Sequence, residues 1–78
     1  MPTVFNEDGY RGMVFPNDYN PVHVHVYKNG ASVKIETETL NVMGVEGRLP
    51  KPKEVKQALK LAKKHKEKIE AKWRELYE

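Results

Sequence analysis

Two turn dipeptides, Asp8-Gly9 and Asn29-Gly30, constrain the fold of this chain more than any other feature. Asp-Gly and Asn-Gly are the residues of a type I′ hairpin turn, in which both central positions need positive φ. The flanks agree with that reading. Val22 to Lys28 alternates, with Val22, Val24 and Val26 on one side and His23, His25 and Tyr27 on the other. Alternation with period two is a half-buried strand. Ala31 to Glu38 is its partner, with Val33, Ile35 and Thr37 on one face and Ser32, Lys34, Glu36 and Glu38 on the other. Counting outwards from a two-residue turn sets Val26 opposite Val33, Val24 opposite Ile35, His25 opposite Lys34 and His23 opposite Glu36. The valines then face the core and the histidines the polar side.

The first hairpin pairs Thr3-Val4-Phe5 with Tyr10 to Phe15, and Pro16 to Pro21 is a loop stopped at both ends by proline. Leu40 to Val45 is a candidate fifth strand. Leu49-Pro50-Lys51-Pro52 is a stiff linker, and Pro52 suits the first position of a helix. From Lys53 to Glu78 there is neither glycine nor proline. Val55, Leu59, Ala62, Ile69, Trp73 and Leu76 recur at helical spacing, within about 100° of one another. The expectation is an α+β domain spanning residues 1–78. An antiparallel β-meander of four to five short strands (1–49) packs on one long C-terminal amphipathic helix (50–78).

At 78 residues the chain buries only roughly 60% of its unfolded surface. Chemistry therefore has to sit on a sheet face, a loop or an interface. There is no cysteine, hence no disulfide, thiolate metal site or cysteine nucleophile. The opening residues lack a signal-peptide pattern, and no stretch reaches the roughly 20 apolar residues of a membrane span. The expected location is cytoplasmic, with no membrane contact. Charge is uneven: residues 1–49 carry four Lys/Arg against six Asp/Glu, and residues 50–78 carry ten against five. An acidic sheet half and a basic helix half bear on partners more than on fold.

Three readings apply to the histidine pair. Imidazoles at i and i+2 on one strand face can begin a metal site, with Glu36, Asp18 or His65 as further ligands. Lys34 beside them opposes a second cation, so no metal and no cofactor is expected. The same face has the parts of a metal-independent ribonuclease, with His23, His25, Glu36 and Lys34 as catalytic groups. Third, this can be an ordinary polar sheet face with His23–Glu36 as a plain cross-strand pair, or a face on which His23, His25 and Tyr27 meet a partner.

The helix offers a different chemistry. Lys56, Lys60, Lys63 and Lys64 share its outer face, a stripe able to follow nucleic-acid phosphates. No aromatic residues interleave with them, so base stacking is not supported there. The plainer account is a solvated face with Lys63–Glu67, Lys66–Glu70 and Glu70–Arg74 as helical pairs. His65 reads as a boundary residue, and Trp73 and Tyr77 as core and helix-end anchors. No P-loop, dinucleotide fingerprint, nucleophilic-serine motif or EF-hand loop is present.

The order MPTVFNEDGYRG, NDYNPVHVHV, VKIET and GRLPKPKEVKQALKLAKKHKEKIEAKW resembles the domain-of-unknown-function 4160 family, small bacterial and phage-associated proteins, over nearly the whole chain. The sharpest part is Asn20 to Val26, where the family has a Pro-Pro-His-x-His run. Here Val22 replaces the second proline and both histidines stand. The resemblance implies a toxin–antitoxin-like gene pair with a second small protein of the domain-of-unknown-function 2442 family. The expected function is a binding or adaptor protein contacting that partner and nucleic acid. A ribonuclease toxin and a homodimeric interaction domain are the alternatives.

Overall fold

Both turn dipeptides close hairpins, as the computed structural model, which describes residues 3–15 and 21–77, makes plain. Asp8 and Gly9 have φ of 53° and 80°, and Asn29 and Gly30 have φ of 45° and 84°. The strands are β1 (Thr3–Glu7), β2 (Tyr10–Met13), β3 (His23–Lys28), β4 (Ala31–Glu36) and β5 (Val42–Gly47). They form one antiparallel sheet in the order β1-β2-β3-β4-β5. Pairing of β3 with β4 follows the counted register, His23 with Glu36, Val24 with Ile35, His25 with Lys34 and Val26 with Val33. Several strand ends differ from the expectation: β1 runs on to Glu7 rather than Phe5, β3 begins at His23 rather than Val22, and β5 ends at Gly47 rather than Val45. β2 ends at Met13 rather than Phe15, β4 ends at Glu36 rather than Glu38, and β5 begins at Val42 rather than Leu40. At the end of β4 the chain turns, with Leu40 N–H donating to Glu36 O and Leu40 itself at φ 60°.

The expected single helix is two: α1 (Pro52–Lys64) and α2 (Lys66–Tyr77). The junction is His65, at φ −103° and ψ 19°. Neither glycine nor proline marks it, because the cause is tertiary. The His65 ring stacks on Phe5 of β1 at 4.6 Å, and its Nε2 donates to Glu7 Oε1 at 3.0 Å. Holding the ring against the first strand takes the backbone off helical values for one residue. The hydrogen bonds His65 N–H to Leu61 O and Ile69 N–H to His65 O still form, so the change of direction is shallow.

The core lies between the helices and one sheet face. Val14, Val24, Val26, Val33 and Ile35 come from β2 to β4 and the β2 exit, Ala58, Leu61 and Ala62 from α1, and Ile69 and Trp73 from α2. Of the expected stripe, Ala62, Ile69 and Trp73 are fully buried, while Val55, Leu59 and Leu76 sit half-buried at its margin. Phe5 completes the core on the β1 side. It pairs across the strands with Gly12, and a Cβ at Gly12 would lie 2.2 Å from the Phe5 ring. The glycine is there to seat the ring.

The helix start is tied to the second hairpin by residues that periodicity could not flag. Arg48 Nη1 and Nη2 grip both oxygens of Glu54 at 3.0 and 3.1 Å, while its Nε and Nη2 donate to the carbonyls of Asn29 and Lys28. Glu54, at the third helical position, also accepts from Lys51 N–H at 2.9 Å, one half of a capping box. Arg48 first, then the Lys51 backbone, lowers the Glu54 carboxyl from its ordinary 4.5 to about 2. A depressed carboxylate adds stability above its unfolded value and loses it as pH falls through the folded one. Glu54→Gln is therefore expected to melt lower than wild type at pH 7. The gap should close between pH 4.5 and about 2, as read from thermal melts in a pH series.

Candidate functional site

The lysine stripe stands where the helical spacing put it. Lys56, Lys60, Lys63 and Lys64 are all exposed on α1. What the sequence did not reveal is the wall facing them. The tip of the first hairpin stands beside α1, and the two enclose a pair of adjoining hollows of about 540 and 620 Å³. The first is lined by Lys28, Lys51, Lys53, Lys56 and Lys60 with Asp8, Tyr10, Glu54 and Gln57. The second continues along the helix past Lys60, Lys63 and Lys64 to Glu7. Lys28 comes from β3 and is brought to the helical lysines only by the fold.

Within this cleft the charges differ in freedom. Lys64 Nζ donates to Glu7 Oε2 at 2.8 Å, and Glu7 is held below its usual carboxylate range by Lys64 and then His65. Lys64 therefore belongs to the wall. Lys28 Nζ sits 4.8 Å above the Tyr10 ring and donates to Asp8 O at 3.3 Å. Tyr10 lies buried at the cleft base, and burial pushes its hydroxyl up, helped by Glu54 and Asp8. Its ring carries the Lys28 ammonium, so the cleft offers cations and no open stacking platform. Lys56, Lys60 and Lys63 project from α1 as exposed ammonium groups. The chemistry available is capture of a chain of phosphates.

The histidine face differs more from expectation. His23 is only 2% exposed, enclosed by the edge of Trp73 at 5.3 Å and by His25 at 5.2 Å. Its Nδ1 lies 2.8 Å from Pro21 O, and a carbonyl only accepts, so Nδ1 carries the proton. Glu36 stands opposite His23 in register but accepts a hydrogen bond from Thr39 Oγ1. His25 is half-buried, edge-on to Phe15 at 4.9 Å. With Ser32, Lys34, Met43 and Glu46 it lines a hollow of about 250 Å³. Tyr27 is exposed farther along the strand. The outer face thus presents His25, Lys34 and Tyr27, while His23 belongs to the packing beneath it.

Among the described residues no three His, Asp or Glu side chains gather as metal ligands. His65 is occupied with Glu7 and Phe5, and Asp18 lies outside the described residues. No helix of the described residues is long and apolar enough to cross a membrane.

Residues 9–74 match the family model Domain of unknown function (DUF4160). The chain belongs to that family. The match takes in β2 to β5, α1 and most of α2, so the histidine strand, the lysine stripe and Arg48–Glu54 all fall within the family domain. β1, with Phe5 and Glu7, lies ahead of the matched residues. No curated protein and no solved structure matches the chain.

Proposed function

We propose that this member of the family is a small binding module, the adaptor of a toxin–antitoxin-like pair, and that its lysine-lined cleft holds nucleic acid. The supporting observation is convergence. Lys28 from the sheet and Lys51, Lys53, Lys56 and Lys60 from the helix and its approach line one open hollow, with Lys63 exposed on the next turn. A stripe on an isolated helix is ordinary solvation, whereas five cations from two elements around a concavity favour a polyanion. Lysine dominates the cleft lining and the Tyr10 ring is covered by Lys28, which favours contact to backbone phosphates with little sequence preference. The outer face with His25 and Tyr27 is left for the cognate small protein.

Fluorescence anisotropy with labelled single-stranded RNA and DNA at rising salt tests this reading. Contact with about five phosphates predicts a slope near −3.5 in a plot of log affinity against log salt. Exchanging Lys56, Lys60 and Lys63 together for glutamine is expected to flatten the slope by about 2 units. These side chains are exposed, so the triple variant keeps its fold, which circular dichroism verifies. An absence of binding even at low salt removes the nucleic-acid part of the reading.

The ribonuclease alternative draws on His25 and Lys34 sharing a hollow. It requires RNA cleavage that His25→Ala abolishes. Under the binding reading the RNA recovered from each titration is intact, and His25→Ala changes affinity by less than about twofold.

A further inference from the structure

The two edges of the sheet are treated differently. At β1, Glu7 is bound by Lys64 and His65, Phe5 is buried under His65, and α2 packs against the strand. β5 at the other edge has no such cover. Val42, Met43 and Val45 are each 41% exposed and Leu49 is 83% exposed. From Thr39 to Val45 the sequence TLNVMGV contains no charge and no proline. Edge strands in monomeric proteins normally carry lysine, proline or an inward charge to refuse further pairing. β5 has a single charge, Glu46 near its end, and Val42 to Val45 carry none.

The register of β4 with β5 gives the edge a particular pattern. Lys34 pairs with Gly44 but Ile35 pairs with Val42, so Met43 is the extra residue of a bulge. Residues three apart on a regular strand face opposite ways; the bulge sets Val42 and Val45 on the same, core-side face, beside Ile35 and Val33. An antiparallel copy of β5, related by a two-fold axis between Met43 and Gly44, then brings Val42 against Val45 of the second copy, and Val45 against Val42. The same register sets Glu46 against Asn41 and Arg48 against Thr39, so no like charges meet. Gly44, which has nothing within 4 Å of its missing Cβ, gives Met43 of the second copy room.

We propose that β5 is a homodimerisation edge. Two copies pair isologously through residues 41–46, joining the two sheets into one and covering the exposed Val42, Met43 and Val45. This contact is independent of the lysine cleft, which lies between α1 and the first hairpin.

Sedimentation equilibrium on the full chain up to about 1 mM provides the first test, with a concentration-dependent monomer–dimer equilibrium expected. Val45→Lys should weaken the dimer by at least about tenfold, while Tyr27→Lys, on the opposite face of β3, leaves it unchanged. The register has its own test, because the chain has no native cysteine. Val42→Cys and Val45→Cys chains mixed and oxidised should form a disulfide-linked heterodimer, since directly opposed positions fall within disulfide reach. Each variant oxidised alone should cross-link far less. A chain that stays monomeric at about 1 mM overturns the proposal and leaves β5 to a strand of another protein. A dimer that survives Val45→Lys, or cysteines that cross-link equally well alone, overturns it as well.

Discussion

A Trp73→Ala chain is expected to lose about 3–5 kcal/mol of stability, the usual cost of emptying a buried tryptophan site. A domain of this length has roughly 4–12 kcal/mol in all, so the loss is about a quarter or more of the total. Trp73 is 7% exposed and stands where three parts of the fold meet. It comes from α2, it joins the core cluster, and its ring edge closes over His23 at the start of β3. Truncation therefore opens a cavity and also uncovers a polar ring. The expected fall in Tm is roughly 12 °C or more. Since Trp73 is the chain's single tryptophan, its fluorescence reports unfolding in the wild type, and circular dichroism serves for both proteins. A fall of under about 4 °C would mean that α2 does not hold the sheet as described.

Gly12→Ala is the second large effect, from one added methyl group. That Cβ would stand 2.2 Å from the Phe5 ring, far inside contact distance. The ring cannot step aside freely, because it also stacks on His65, which is held in turn by Glu7. Overpacking of this kind costs about 1–3 kcal/mol, and here it also loosens the α1–α2 junction. The mechanism has a signature beyond the loss itself. Phe5→Leu is destabilising alone, yet adding Gly12→Ala to it should cost clearly less than Gly12→Ala costs the wild type, because the smaller side chain clears the clash. Strict additivity in chemical denaturation of the four proteins would refute the proposed contact.

The turn and register of the central hairpin were legible, down to which residues face which, because a two-residue turn and a period of two leave no freedom. The lysine stripe was legible for a similar reason: side chains four apart on a helix share a face whatever surrounds them. The wall opposite was not. Lys28 reaches the cleft through strand order, and neither its spacing from Lys56 nor its neighbours in sequence signals that. The junction at His65 was equally silent, since the usual breakers are absent and the partners Phe5 and Glu7 lie near the other end of the chain. Arg48 and Glu54 had one local clue, an acid three residues into a helix begun by Pro52.

For the histidine strand the division is cleanest. The sequence alone put His23 and His25 side by side on the face opposite the valines, because alternation is a property of backbone geometry. Tertiary structure made them unlike, enclosing His23 beneath Trp73 and leaving His25 half in solvent beside Lys34. Burial depends on what another element brings over a residue. That element, α2, turns at His65 because a ring near the middle of the helical segment found its partners in the first strand.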